Sequence, residues 1–252
     1  MDGPRRKVRA LILAPTRELA SQIHEEINSL GRHTRLRSTV IFGGVSIEPQ
    51  IKALNRGVEI IVACPGRLLD HLSRGNINLS ALETFVVDEA DRMFDMGFLP
   101  DIRRIIKQLP NKRQNLLFSA TMPNDIRRMS SDMLHNAATV QIDHTKPVAT
   151  ISHVLYPVEQ HLKTVLLKEL LKQTETDSVL IFTRTKHRAK KLAEQLDSAG
   201  YKATSLQGNL SQNRRQHAIE GFRNGCYMML VATDIAARGI DVSAITHVIN
   251  FD

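Results

Sequence analysis

The chain has 252 residues, 42% of them hydrophobic, which is enough for one large domain or for two of ordinary size. Its formal net charge of +8 is shared evenly by the two halves, which fits a polyanionic partner that runs over both, or solubility alone. The two cysteines, Cys64 and Cys226, form no CxxC pattern, so the sequence excludes a disulfide framework and a zinc site. The sequence shows neither a signal peptide nor a membrane-spanning run, and we expect a cytoplasmic protein without a membrane partner.

Short apolar runs alternate with amphipathic segments along the chain. In chain order the runs are RALILAP, STVIFGG, VEIIVACP, TFVVDEA, NLLFSAT, SVLIFT, ATSLQG, YMMLVAT and HVINFD. They do not alternate apolar with polar residues, which is typical of strands buried on both faces of a parallel sheet. Two helical stripes lie between them, Leu19, Ile23, Ile27 and Leu30, and then Ala189, Leu192, Ala193 and Leu196. The alternation predicts α/β domains with helices on both faces of each sheet.

A polar stretch with a proline, DHTKPVATIS, separates the first five runs from the last four. We therefore predict a first domain over residues 1–143, a linker over 144–152 and a second domain over 153–252. Nearly every run is followed directly by polar or glycine-rich residues, and ligands of open α/β sheets bind outside the carboxyl ends of the strands. Two such edges predict two domains that face each other across a cleft.

The run TFVV ends at three acidic residues, Asp88, Glu89 and Asp91. Paired carboxylates at the end of a buried strand are an arrangement that nucleotide hydrolases use. In it, Asp88 would hold Mg²⁺ directly or through a water, and Glu89 would orient the attacking water. The charge of the metal would offset the repulsion between the carboxylates. The alternative is a solvated strand end or a helix N-terminus, where the helix dipole favours acidic residues.

Eight motifs set these carboxylates in a wider pattern. They are PTREL at 15–19, GG at 43–44, PGR at 65–67, VDEAD at 87–91, SAT at 119–121, QGNLSQNRR at 207–215, ATDIAARGID at 232–241 and VINFD at 248–252. In order and spacing, over essentially the whole chain, they resemble the DEAD-box RNA helicases of superfamily 2. FDMGF and QGNLSQ are most similar to the bacterial RhlE-like branch. The resemblance implies two RecA-like α/β domains and an ATP-dependent RNA helicase that uses ATP and Mg²⁺; it does not imply an oligomer.

The resemblance also assigns roles to individual residues. Asp88 and Glu89 are implied to be catalytic and to bind Mg–ATP, with Asp88 on the metal. Asp91 and the SAT motif, Ser119, Ala120 and Thr121, are implied to couple the state of the nucleotide to domain closure. The residues implied to bind the RNA backbone are Pro15, Thr16, Arg17, Gly43, Gly44, Gly66, Arg67, Arg184, Gly208, Gln212, Thr233, Asp234 and Arg238. Gly239 and Asp241 are implied to face the nucleotide across the cleft.

Arginine, threonine and glycine amides suit phosphate oxygens and read no base sequence, so we expect RNA to be bound without sequence preference. Simpler interpretations stay open: Arg17 pairs with Glu18, and Gly43–Gly44 forms only a tight turn. In the same way, Ser119, Thr121 and Gln212 could be only helix caps. Arg184 and Arg238 could be ordinary surface residues. Three positions depart from the family pattern: Cys64 where it has Thr, and Gln207 and Asn209 where it has His and Asp.

Two stretches that such an ATP hydrolase needs are not found in the sequence. No glycine is followed by lysine, so a phosphate loop ending in Gly-Lys-Ser/Thr is absent. The arginine-rich segment of the family, which supplies the arginine finger, is absent as well. We therefore expect a core that is truncated at both ends, whose first domain lacks its phosphate-loop strand and which does not hydrolyse ATP by itself. Two alternatives stay open: a catalytically inactive RNA-binding fragment and a superfamily 2 DNA helicase.

Overall fold

The computed structural model describes residues 7–134, 136–141, 151–173, 177–234, 242 and 245–252. The chain divides into two compact units, Met1–Ala138 and Thr139–Asp252. Residues 144–150 of the predicted linker lie outside the described residues, and the predicted domain bounds stay a prediction. No helix in the described ranges is both long enough and apolar enough to cross a membrane.

A parallel sheet of five strands forms the centre of the first unit. The strands are β1 (Ala10–Leu13), β2 (Ser38–Ile41), β3 (Ile60–Ala63), β4 (Thr84–Val87) and β5 (Gln114–Leu117), in the spatial order β2-β3-β1-β4-β5. The helices are α1 (Arg17–Gly31), α2 (Glu48–Asn55), α3 (Pro65–Ser73), α4 (Ala90–Asp95), α5 (Leu99–Ile106) and α6 (Asn124–Met133). The strands are in level register, since Leu13 pairs with both Ala63 and Val87. Their carboxyl ends therefore form one continuous edge.

The inner strands of the first sheet are covered on both faces, as predicted, whereas the edge strand β5 contains no buried residue. Leu11 and Leu13 of β1 pack into a core with residues of α3, α4, α5 and α6, whereas Ile12 points to the other face and packs with α1. One residue of the predicted α1 stripe is an exception, because Leu30 is 76% exposed. The reason is length: 15 helical residues span roughly 22 Å, whereas four strand residues span roughly 13 Å, so the last turn of α1 outruns the sheet.

The second unit contains a parallel sheet of four strands. They are β6 (Val179–Phe182), β7 (Ala203–Leu206), β8 (Met229–Ala232) and β9 (His247–Asn250), in the order β7-β8-β6-β9. The described helices are α7 (Lys163–Gln173), α8 (Lys186–Asp197) and α9 (Gln212–Arg223). Val179 and Ile181 pack with α7 and α8, whereas Leu180 packs with α9 on the opposite face. Two parallel α/β sheets with helices on both faces confirm the predicted fold class.

Candidate functional site

The motifs of the first unit meet at the carboxyl edge of its sheet. Going along the sheet from β2 to β5, the residues that follow the strands are Gly43 and Gly44, then Gly66 and Arg67, then Pro15, Thr16 and Arg17, then Asp88 and Glu89, and last Ser119, Ala120 and Thr121. Segments far apart in the sequence thus come together because parallel strands end on the same side. The carboxylates lie between the glycine-rich and arginine-containing loops on one side and the SAT motif on the other.

The turn from β4 into α4 places Asp88 and Glu89. The Asp88 N–H donates to the Leu13 carbonyl at 3.0 Å, and Asp88 Oδ1 accepts from the Glu89 N–H at 2.9 Å. Glu89 has φ 48° and ψ 51°, a left-handed conformation that strains a residue other than glycine. Arg92 Nη1 donates to Glu89 Oε1 at 2.7 Å and fixes the carboxylate. Arg92 is a functional residue that was not predicted, although its position one helical turn after Glu89 indicates the ion pair.

The two carboxylates are placed where a positive ligand would stabilise them. Burial raises the pKa of Asp88 above its ordinary value, and the hydrogen bond from the Glu89 N–H offsets only part of this effect. Burial also raises the pKa of Glu89, although Arg92 acts in the opposite direction. Glu89 Oε2 is buried and has no hydrogen-bond partner among the described residues. An unsatisfied buried acceptor beside a second carboxylate fits a hydrated cation, because water donates to carboxylates and the cation offsets their charge.

Asp88→Asn is expected to stabilise the protein in the absence of ligands. Because the pKa of Asp88 is raised in the folded state, its ionisation destabilises that state as the pH rises through the raised pKa. Asparagine has no charge and retains the acceptor for the Glu89 N–H. We expect Tm at pH 7 to rise by roughly 1–4 °C. Thermal unfolding in the absence of nucleotide and Mg²⁺ measures this change.

The pH dependence provides the internal check of this prediction. The gain in Tm is expected to shrink as the pH falls through the raised pKa, because Asp88 then becomes neutral in the unchanged protein as well. Asp132→Asn, at an exposed position on α6, is the matched control and should show no such gain. A Tm for Asp88→Asn below that of the unchanged protein at pH 7 would show that burial does not strain this carboxylate.

Asp91 joins the DEAD sequence to the SAT motif. Its Oδ2 accepts from the Thr121 N–H at 2.9 Å and from Thr121 Oγ1 at 2.8 Å. Ser119 Oγ accepts from the Asp91 N–H at 3.1 Å and donates to the Thr121 carbonyl at 2.7 Å. Burial by itself would raise the pKa of Asp91, but the hydrogen bonds from Thr121 and Ser119 outweigh it and the pKa is lowered. Ser119 thus accepts a hydrogen bond from a backbone N–H in the first turn of α4, as an N-cap residue does. It lies 28 residues from Asp91 in the sequence.

The loop after β2 contacts two of the predicted arginines. Gly44 has φ +75°, and a Cβ built on it would lie 2.3 Å from Arg17 Nη1, so the Arg17 guanidinium lies directly against this glycine. Arg67 Nη2 donates to the Val45 carbonyl at 3.1 Å, and Arg67 Nη1 is buried without a hydrogen-bond partner in the part of the chain that the structure describes. Gly43 and Gly66 have open space where a Cβ would be. Two cationic groups and exposed loop backbone therefore meet here, which suits phosphate oxygens.

Thr16 and Cys64 have structural roles beside this loop. Thr16 is the N-cap of α1, and its Oγ1 accepts from the Leu19 N–H at 3.2 Å. Cys64 precedes α3 without capping it through its side chain. Burial raises the pKa of the Cys64 thiol to about 12, with Arg17 acting in the opposite direction. At neutral pH this thiol is protonated, so it is a weak donor at most and an inert nucleophile.

In the second unit the predicted residues also follow strand ends. Arg184 follows β6, Gly208 follows β7, and Thr233 and Asp234 follow β8. The Arg184 N–H donates to Asp252 Oδ2 at 2.9 Å. Arg238, Gly239 and Asp241 lie outside the described residues, so their roles stay predictions.

The interpretation of Gln212 as a helix cap is wrong. The N-cap of α9 is Ser211, whose Oγ accepts from the Arg214 N–H at 3.5 Å, and Gln212 is the first helical residue. Serine is the better cap because its short side chain returns to the backbone N–H groups of the first turn. Gln207 is buried, and its Oε1 accepts from the Asn209 N–H at 2.7 Å, so two residues that depart from the family pattern shape the loop after β7 together.

Comparison with known protein families matches nearly the whole chain. The profile described as DEAD/DEAH box helicase matches residues 2–129, and the helicase conserved C-terminal domain matches residues 162–252. The DEAD-box ATP-dependent RNA helicase CshA of Geobacillus kaustophilus is 43% identical over 246 residues, which are 97% of this chain and 53% of that protein. The ATP-dependent RNA helicase CshA of Listeria monocytogenes is 41% identical over 253 residues, which are 100% of this chain and 49% of that protein. The chain thus spans about half the length of these relatives.

Solved structures show the same fold. S. cerevisiae Dbp5 bound to RNA and ADP BeF3 superposes with a TM-score of 0.84 at 31% identity, over 98% of this chain and 63% of that chain. A DEAD box protein from the hyperthermophile Methanococcus jannaschii superposes with a TM-score of 0.53 at 38% identity, over 98% of this chain and 66% of that chain. The parallel sheets of both units are therefore those of RecA-like helicase domains.

Proposed function

This chain belongs to the DEAD/DEAH box helicase family, and from that premise we propose that it is the core of an ATP-dependent RNA helicase. It would couple the binding and hydrolysis of ATP to the local separation of an RNA duplex. The observation that carries the proposal is the single sheet edge at which half-buried carboxylates lie between a phosphate-suited loop and the SAT motif. Relatives named ATP-dependent RNA helicases, and a structural neighbour bound to RNA and ADP BeF3, support it.

The carboxylates at the end of β4 define the proposed catalytic site. Asp88 would hold Mg²⁺, with phosphate oxygens of ATP and water as the other ligands, which is how this cation is usually bound beside a phosphate. When bound, the metal would neutralise charge on the phosphoryl oxygens. Glu89 Oε2, which is buried and unpartnered within the described ranges, would accept a hydrogen bond from the attacking water. Arg92 holds the other oxygen of Glu89 and so fixes the direction of that acceptor.

The loops after β2, β3 and β1 form the proposed RNA surface of the first unit. Arg17 and Arg67 supply positive charge, and Gly43, Gly44 and Gly66 let an RNA backbone approach the protein backbone closely. In the second unit the proposal assigns the same task to Arg184, Gly208, Gln212, Thr233 and Asp234. Such contacts carry no base information, so the affinity should be independent of sequence and should fall as the salt concentration rises.

The proposal also covers the branch of the family and the compartment in which the protein acts. The FDMGF and QGNLSQ motifs support a place in the bacterial RhlE-like branch, although the relatives described above are named CshA. We also propose that the protein acts in the cytoplasm. For assays of turnover, the extended protein is defined here as these 252 residues joined to the segments that flank the matching region of the Geobacillus kaustophilus relative.

An unwinding assay on the extended protein tests the proposed function. The substrate is a short RNA duplex with a labelled strand, and release of that strand is measured with ATP and without it. Release that needs ATP supports the proposal, whereas binding without release identifies the inactive RNA-binding alternative. A DNA duplex of the same sequence is the matched substrate, and faster release of its strand would identify the DNA helicase alternative.

The hydrogen bonds between Asp91 and the SAT motif predict an uncoupled variant. In the extended protein, Ser119→Ala combined with Thr121→Ala removes the two hydroxyls and leaves the Thr121 N–H bonded to Asp91. We expect ATP turnover to stay within roughly threefold of the unchanged protein and strand release to fall at least roughly tenfold, since the motif is proposed to relay a state between sites. Parallel assays of turnover and release measure both quantities.

The matched control for that variant is Ser130→Ala combined with Ser131→Ala. Both hydroxyls donate to the Arg127 carbonyl within α6, so their loss should change neither quantity. If turnover and strand release fell in parallel in the Ser119 and Thr121 variant, the relay role of the SAT motif would be wrong.

A further inference from the structure

The carbonyl groups of the loop after β2 are tied to two side chains behind it. Gln50 Nε2 donates to the Phe42 carbonyl at 3.0 Å and reaches the Ser46 carbonyl at 3.5 Å. Arg67 Nη2 donates to the Val45 carbonyl at 3.1 Å. In a planar trans peptide the C=O and the next N–H point in opposite directions, so the bond to Phe42 turns the Gly43 N–H away from Gln50. In the described ranges, neither the Gly43 nor the Gly44 N–H has an acceptor.

Gln50 is itself held by a buried histidine. His71 of α3 is 0% exposed, and its Nε2 lies 3.2 Å from Gln50 Oε1. Its Nδ1 lies 3.2 Å from Asn76 Nδ2, in the loop after α3. Because the Gln50 amide N–H is used on the loop, Gln50 Oε1 must accept from His71 Nε2–H, and His71 Nδ1 accepts from Asn76. These partners assign the neutral Nε2–H tautomer to His71.

We propose that His71 is a positioning residue for RNA binding: acting through Gln50, it holds the Gly43–Gly44 loop in the conformation that presents its N–H groups to an RNA phosphate. The inference rests on the proposed function, since RNA is the ligand proposed for this loop. His71 touches no ligand itself, because it is buried behind α2 and the loop. Its effect is to keep the Gln50 amide from rotating, so that the donor stays on the Phe42 carbonyl.

The contact of His71 with Asn76 requires the neutral ring, whereas both the neutral and the charged ring can donate from Nε2 to Gln50. Burial lowers the pKa of His71 below its ordinary value; Arg67 and Arg74 lower it further, and Asp70 opposes them. Arg67 and Asp70 lie on α3 and Arg74 is its C-cap, whereas Gln50 from α2 and Asn76 from the following loop are uncharged. A second proton on Nδ1 would face the Asn76 amide donor, so protonation removes this contact and releases the ring that positions Gln50. RNA affinity should therefore fall when the pH drops through this lowered pKa.

Two substitutions of similar size separate the link to Gln50 from the link to Asn76. In His71→Gln the side-chain amide nitrogen can take the place of Nε2 and donate to Gln50. His71→Asn is one carbon shorter and reaches only the place of Nδ1, facing Asn76. The affinity of the chain for a fluorescein-labelled single-stranded RNA of mixed sequence is the readout. We expect binding roughly tenfold weaker for His71→Asn and close to that of the unchanged chain for His71→Gln.

A pH series supplies a readout that a merely structural role would not move. Between pH 8 and pH 5 the unchanged chain should lose RNA affinity relative to His71→Gln. Surface histidines that gain charge strengthen binding in both proteins, so they cannot produce a relative loss. Circular dichroism at each pH confirms that both proteins remain folded. This comparison also decides the question if His71→Asn does not fold.

The outcomes separate this inference from the function on which it rests. Weak binding by His71→Asn and a relative loss of affinity at low pH would support the positioning role. Equal affinities of His71→Asn and the unchanged chain, or parallel pH profiles of the unchanged chain and His71→Gln, would overturn it and leave the proposed function standing. No RNA binding by the unchanged chain at low salt would overturn both.

Discussion

In the extended protein, Glu89→Gln is expected to lower RNA-stimulated ATP turnover by about 10²- to 10⁴-fold, the range for loss of a general base. Glutamine has the size and the acceptor oxygen of glutamate but lacks the charge that polarises a water. Oε2 of Glu89 is buried without a partner from any residue that the structure describes, and Oε1 accepts from Arg92. RNA and nucleotide should still bind, because the proposed RNA contacts and Asp88 are unchanged. Steady-state turnover and equilibrium binding of a labelled nucleotide measure the two quantities.

The control for Glu89→Gln is Glu26→Gln, which makes the same substitution at an exposed position on α1. It should leave turnover unchanged. Arg92→Gln should give an intermediate loss, because the Glu89 carboxylate stays but its orientation is released. Wild-type turnover by purified Glu89→Gln would show that Glu89 does not act on the water.

Gly44→Ala is expected to reduce the affinity for RNA at least roughly tenfold. A Cβ at this position would lie 2.3 Å from the Arg17 guanidinium, so the arginine must leave its place in the proposed RNA surface. The end of a long side chain moves easily, so this clash adds little to the free energy of folding. The fold instead loses about 1–2 kcal/mol because alanine is strained at φ +75°. Affinity for single-stranded RNA and chemical denaturation measure the two effects.

The matched control for Gly44→Ala is Gly200→Ala. Gly200 has φ +89° and open space where a Cβ would be, so it reproduces the backbone strain without displacing an arginine. It lies between α8 and β7, at the opposite end of its sheet from the motifs. We expect a similar loss of stability and unchanged RNA affinity. Equal losses of RNA affinity in the two variants would mean that the effect of Gly44→Ala is only destabilisation.

The sequence predicted the positions that follow directly from strand ends. Asp88 and Glu89 follow β4 and Arg184 follows β6, as the apolar runs indicate, because a parallel sheet collects the residues that follow each strand at one edge. The α8 stripe is buried as predicted, since its spacing matches the helical period. The local pattern of apolar residues and the right-handed crossover connections of α/β units were sufficient to predict these features.

Contacts between distant segments could not be predicted in the same way. The bonds from Thr121 to Asp91 span 30 residues, and the contact of His71 with Gln50 spans 21. Both depend on how deeply helices α2, α3 and α4 sit on the sheet, which side-chain packing decides and no periodic pattern encodes. The left-handed backbone of Glu89 is a further case, because propensity disfavours it and the surrounding fold imposes it.

RNA stimulation of ATP turnover by the extended protein tests most directly whether the edge of the first sheet joins a nucleotide site to an RNA surface. Turnover is measured with saturating single-stranded RNA, with DNA of the same sequence and without nucleic acid, on protein free of host helicases. We predict that RNA raises turnover severalfold more than DNA does, and that Asp88→Ala abolishes the turnover. Turnover that is indifferent to RNA, or that survives Asp88→Ala, would contradict the account.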